Sequence, residues 1–144
     1  MIAPRRVISP RMVIDPNVFI SALMAKPGSA ALAIAQAVTT NKLALVACPA
    51  LLLELSDVVH REHFRRWFTV QDAERLVDAL SLIAEMHPDP PAVPPGCTDP
   101  DDDYLFALAD AAGVGIIVSG DRAVLATQVP GVEVLTPRQA ADAL

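Results

Sequence analysis

Residues 99–121 read DPDDDYLFALADAAGVGIIVSGD, and this stretch decides the fold. Leu105, Phe106, Leu108 and Ala109 recur at helical spacing, Gly113 supplies a stop, and Ile116-Ile117-Val118-Ser119 is a continuous apolar run too short for a helix. The stretch predicts a helix, a turn and a strand buried on both faces, ending at Gly120-Asp121. Strands without polar alternation belong to parallel sheets covered on both sides by helices.

The same grammar holds in both directions along the chain. Met12-Val13-Ile14 predicts a buried strand that ends at Asp15, and NVFISALM predicts the short helix after it. Ser29 is placed to cap a second helix reaching Val38. Leu43–Ala47 predicts a second strand, and Pro49 opens a helix whose apolar stripe is Leu51, Leu52, Leu55, Val58 and Val59. VQDAERLVDALSLIAEMH predicts a longer helix, HFRRWF before it has no clear period, and Pro88–Pro100 predicts an extended connector. VEVL predicts a last strand, and Thr136-Pro137 opens a terminal helix. The expected fold is α/β, a single three-layer α/β/α domain over residues 1–144 with a central parallel sheet.

Composition bounds the function. With 144 residues and 53% hydrophobic content, one packed core is expected. The longest apolar run, Leu43–Leu53, is broken by Pro49 and too short to span a bilayer, and the N-terminal MIAPRRVISPR has no apolar segment of a secretory signal. A cytoplasmic protein without membrane contact is expected. Cys48 and Cys97 are not in a paired motif and are read as small apolar residues. A net charge of −6 excludes binding of nucleic acid by bulk electrostatics, so any such contact needs a local positive charge such as a divalent ion.

In a doubly wound sheet, strand C-termini and the N-termini of the helices that follow share one edge, where ligands bind. Asp15 and Asp121 each follow a strand, Glu54 lies early in its helix at the margin of the apolar stripe, half facing the core, and Asp103 lies one turn into the helix after the acidic run. Asp99, Asp101 and Asp102 have a sufficient explanation in capping and the helix dipole. Asp103 is surplus to it. Two carboxylates ~4 Å apart repel by roughly 4 kcal/mol at an effective dielectric near 20, so their convergence calls for a cation. Oxygen donors without nearby histidine or cysteine select a hard ion, Mg²⁺ or Mn²⁺. His60 and His63, with no third ligand in sight, are read as surface histidines.

VIDPNVFISALM, PALLLELSDVVHREHFRR, DPDDDYLFALADAAGVGIIVSGD and VEVLTPRQ together resemble the PIN-domain family, in the branch of toxin components of toxin-antitoxin systems. The resemblance implies a metal-dependent endoribonuclease that hydrolyses phosphodiesters through metal-activated water. It implies catalytic Asp15, Glu54, Asp103 and Asp121, with Asp15, Asp103 and Asp121 holding the metal and Asn17 and Ser119 in support. It also implies an RNA substrate, an antitoxin protein partner and a homodimer. Arg61, Arg65 and Arg66, interleaved with Phe64, Trp67 and Phe68, suit phosphate contact with base stacking, although the aromatics equally suit core or interface anchors. The chain departs from the family at Pro16, where a threonine is usual, and at Ala123, where another acid is frequent. These departures motivate the alternative of a degenerate PIN fold kept for protein binding. A haloacid dehalogenase-type phosphatase would need a second acid where Asn17 stands and a positioned basic residue, and a receiver domain would need a lysine after a later strand. The chain's two lysines, Lys26 and Lys42, suit neither.

Overall fold

The computed structural model describes residues 9–91 and 103–144, with Asp103 described by its backbone alone. Five strands form one parallel sheet: β1 (Arg11–Ile14), β2 (Ala44–Ala47), β3 (Glu85–Met86), β4 (Ile116–Val118) and β5 (Glu133–Leu135), in spatial order β3-β2-β1-β4-β5. Among the described residues seven α-helices connect and cover them: α1 (Pro16–Met24), α2 (Ala30–Thr39), α3 (Pro49–Val59), α4 (Val70–Ile83), α5 (Asp103–Ala112), α6 (Arg122–Ala126) and α7 (Pro137–Asp142). The chain steps from β1 outward through β2 to β3, then returns to place β4 on the other side of β1. Right-handed crossovers therefore put α1–α4 on one face and α5 on the other, and α7 packs back against α2. This is the expected three-layer α/β/α arrangement.

The core follows from the apolar strands. Val13, Ile14, Val46, Ala47, Ile117 and Val118 are fully buried, and α1 lays Phe19 on one face of the sheet while α5 lays Leu105 and Leu108 on the other. The helix starts are chemically specified. Ser29 Oγ accepts the Leu32 amide, and Thr69 and Thr136 form reciprocal caps with Asp72 and Gln139. Cys48 offers α3 no side-chain cap, and Asp89 supplies one from beyond β3, its Oδ1 accepting the Ala50 amide at 2.8 Å. Gly113 ends α5 at φ +69°, the left-handed geometry that favours glycine.

Three expectations change. The helix over residues 70–87 ends at Ile83, because Ala84 turns to extended backbone and Glu85–Met86 pair with Val46 and Ala47 as an edge strand. HFRRWF is a 3₁₀ helix over Glu62–Arg66. Glu54 is exposed rather than half turned to the core. Cys48 is buried with a free thiol, whereas Cys97 and the capping acids Asp99, Asp101 and Asp102 lie outside the described residues. Among the described residues no helix is long and apolar enough to cross a membrane.

Glu85 does more than end the sheet. It takes a two-pronged contact from Arg11, which also reaches the Ala112 carbonyl at the end of α5, and His87 Nε2 lies 2.5 Å from Oε2, the oxygen that Arg11 Nη2 also meets. The Arg11 and His87 partners hold the Glu85 carboxyl at about 2. A folded value below the unfolded one means the stabilisation is complete above the ordinary glutamate range and is lost as pH falls toward 2. Because Arg11 and Glu85 are both more than a third exposed, solvent screening discounts the pair. Glu85→Gln is expected to lower stability by about 1 kcal/mol at pH 7, with the wild-type advantage disappearing in urea melts as pH is taken from 5 to 2.

Candidate active site

The direction of the chain reverses between β1 and β4, and the crevice beyond their C-terminal ends is where an open α/β sheet binds ligands. Both strands end there in polar residues. The Asp15 amide donates to the Val118 carbonyl at 2.9 Å, which carries the β1–β4 pairing past the last strand residue and fixes Asp15 beside Ser119. Asp15 is 4% exposed and Ser119 is fully buried. They are the only buried polar residues among the described ones.

A short relay joins the two strand ends. Ser119 Oγ donates to Asp15 Oδ2 at 2.8 Å and accepts the Asp121 amide at 3.1 Å. Asp15 Oδ1 accepts the Asn17 amide at 3.0 Å and caps α1, while Asp121 Oδ1 accepts the Ala123 amide at 2.7 Å and caps α6. Burial is the main force lifting the Asp15 carboxyl above the ordinary aspartate range. The Asn17 amide and the Ser119 hydroxyl pull it back, and the Asp121 charge adds to the lift. Asp15 is thus a carboxylate whose ionised form lacks a compensating cation among the described residues.

Pro16 costs this corner little. It occupies the first turn of α1, where its missing N–H would have had no partner within the helix, and the capping amide comes from Asn17. Ala123 contributes its backbone N–H to Asp121, so the position still serves the corner without an acidic side chain.

Glu54 reaches the same edge from α3, and the Tyr104 hydroxyl donates to its Oε2. Burial first, then the bond to Glu54, holds the Tyr104 phenol protonated well above the ordinary tyrosine range, and the nearby Asp15 charge adds to this. Asp103 opens α5 one residue earlier, which places its backbone at this edge. Its side chain lies outside the described residues. A cavity of about 270 Å³ lies alongside, lined by Asn17, Val18, Ser21, Gly120, Asp121 and Pro137.

The three arginines are elsewhere. A helix after a parallel strand runs back toward the strand N-termini, and at ~1.5 Å per residue α3 carries the chain roughly 15 Å from Pro49 to Val59. Arg61, Arg65 and Arg66 follow at that far end. Arg65 donates to the Val59 carbonyl as a cap on α3 and lies 5.2 Å from the centre of the Phe68 ring. Phe68 is buried and Phe64 stacks on it with ring centres 5.5 Å apart, so these rings serve the core. Arg61, Arg65 and Arg66, which suit phosphate contact in the sequence, thus follow the end of α3 that lies away from Pro49. Arg122, directly after Asp121, and Arg138, directly after Pro137, are the cationic side chains that follow the cavity-lining residues. His60 and His63 are exposed, as expected.

A family model described as PIN domain matches residues 11–123. The chain belongs to the PIN-domain family. Comparison with curated proteins gives no match. PIN domains are in general nucleases that use divalent metals, and the match runs from the first residue of β1 to just beyond Asp121.

The donor set can be tested against that chemistry. Among the described residues no three acidic, histidine or cysteine side chains gather as a complete ligand group. What they contribute is Asp15 and Asp121, two oxygen donors joined through Ser119. The oxygen-only pair, with Asp15 buried and burdened by a like charge, fits a hard divalent ion in this PIN domain.

Proposed function

We propose that this PIN domain is a metal-dependent endoribonuclease, with Asp15, Asp103 and Asp121 as the groups that hold Mg²⁺ or Mn²⁺ and Glu54 orienting the attacking water. The observation that carries this reading is the Asp15–Ser119–Asp121 relay at the switch point, where burial, with a smaller addition from the Asp121 charge, lifts the Asp15 carboxyl. When bound, the ion supplies an activated water and stabilises the leaving oxygen of an in-line displacement. The chain's own part is positional. Ser119 holds Asp15 Oδ2 and the Asp121 amide in register, and the two caps lock both carboxylates to helix starts. The cavity beside Asp121 receives the substrate strand, and Arg122 and Arg138 meet its phosphates.

The role of toxin, with an antitoxin protein and a homodimer, belongs to this proposal as well. Leu53 on α3 and Leu82 on α4 are 73% and 89% exposed, apolar side chains that such a partner would cover. The alternative, a PIN fold kept only for protein binding, loses one of its two motives because Pro16 occupies a position where proline is at home, while Ala123 still stands where another acid is frequent.

Labelled single-stranded RNA incubated with the protein and Mn²⁺ is expected to be cut, and Asp103→Asn is expected to stop the cutting. Cleavage untouched by the substitution would identify a contaminant, and no cleavage with either metal would favour the binding module. Saturating Mn²⁺ is also expected to raise the melting temperature, since a ligand at a hundred times its Kd adds about 2.7 kcal/mol to the folded state.

A further inference from the structure

Glu54 and Tyr104 reach each other from opposite layers. Glu54 projects from α3 on one face of the sheet and Tyr104 from α5 on the other, and they meet over the C-terminal edge with the Tyr104 hydroxyl donating to Glu54 Oε2. The two ends of this bond differ in mobility. The Tyr104 ring is half-buried and packs against the core, whereas Glu54 is exposed on a helix surface. An exposed glutamate samples several rotamers, and fixing such a side chain costs conformational entropy. A hydrogen bond from a ring already held by packing fixes it in advance.

We propose that Tyr104 is a positioning residue, which anchors Glu54 through Oε2 and leaves Oε1 as the oxygen that faces the reaction. This rests on the nuclease reading for its catalytic consequence, but the anchor itself does not. Because the bond joins α3 to α5 above β1 and β2, it also ties the helix carrying Glu54 to the helix that starts with Asp103. Two candidate acids from different layers are thereby held in one frame. Nothing in the spacing of the sequence marks the pair, since 50 residues separate them and Tyr104 continues the apolar pattern of its helix.

Tyr104 is the chain's only tyrosine, so its vibrational spectrum needs no assignment. The Raman doublet near 830 and 850 cm⁻¹, which reports whether a phenol donates a strong hydrogen bond, is expected to show a strong donor in the wild-type protein. Glu54→Ala, at an exposed position, is expected to move it to the pattern of a phenol without a carboxylate acceptor. In RNA cleavage, Tyr104→Phe is expected to lower kcat about tenfold, the lower end of what loss of a supporting hydrogen bond costs a metal site, with KM unchanged. In the Glu54→Ala background the same change is expected to have no further effect.

A doublet that ignores Glu54→Ala overturns the proposal. So do Tyr104→Phe and Glu54→Ala effects that multiply independently, because a merely structural tyrosine would act whether or not the acid is present. If the wild-type protein cuts no RNA while the doublet still responds to Glu54→Ala, the anchor stands and the nuclease reading falls.

Discussion

Asp15→Asn is expected to lower RNA cleavage by about a hundredfold or more, the scale set by removing a group that holds a catalytic metal, while the metal-free protein melts no lower than wild type. The two halves of this result have one cause. Asp15 is buried, and its carboxyl is raised because ionisation there is opposed by desolvation and by Asp121. A folded value above the unfolded one means that the folded chain holds the proton more tightly. Stability from this group is therefore fully present below the ordinary aspartate range and is lost as pH rises through the raised folded value. At neutral pH the ionised Asp15 works against folding unless a cation is bound. Asparagine keeps the capping oxygen for the Asn17 amide, puts an NH2 where Oδ2 accepts from Ser119, so that the hydroxyl must turn to accept from it, and removes the charge. Thermal melts with EDTA and with Mn²⁺ check this directly. Wild type should gain from the metal, and Asp15→Asn should start level or higher and gain nothing.

Phe19→Ala is expected to be the most destabilising single truncation proposed here, at about 3–5 kcal/mol. Phe19 is fully buried on α1, and α1 begins one residue after Asp15 and packs on both α2 and α3. Removing the ring opens a cavity in a close-packed core whose side chains, Val13, Ile14 and Leu51 among them, are equally buried and have little freedom to collapse. Against a total stability of about 5–15 kcal/mol for a domain of this kind, the loss is a large fraction. Urea unfolding should show a much lower midpoint with an unchanged slope. A shift worth less than about 1 kcal/mol would mean that α1 is not clamped as the packing requires.

The layered fold was legible because its strands are short apolar runs, which only a doubly covered parallel sheet accommodates, and because Ser29, Pro49, Gly113 and Thr136 mark helix ends locally. The edge strand β3 was not. Glu85 and Met86 are both exposed, and the helical period of α4 continues through them in sequence, so only pairing with Val46 and Ala47 distinguishes them. Asp15 and Asp121 could be placed at one edge because each follows a strand, and the structure joins them through Ser119. The position of the arginine cluster was not legible, for a topological reason. Composition indicates what Arg61, Arg65 and Arg66 could touch, but the direction of α3 determines which end of the sheet they occupy. Asp89 as the cap of α3 and Tyr104 as the partner of Glu54 are contacts across 39 and 50 residues, which no local pattern encodes.

On the proposed function the Asp15–Ser119–Asp121 corner binds a divalent cation. Titration of the protein with Mn²⁺, followed by the electron paramagnetic resonance of the free ion, measures this without any assumption about substrate. Saturable binding that weakens at least about tenfold in both Asp15→Asn and Asp121→Asn is the predicted result. Binding that is identical in wild type and both variants, or no binding at millimolar Mn²⁺, would contradict it.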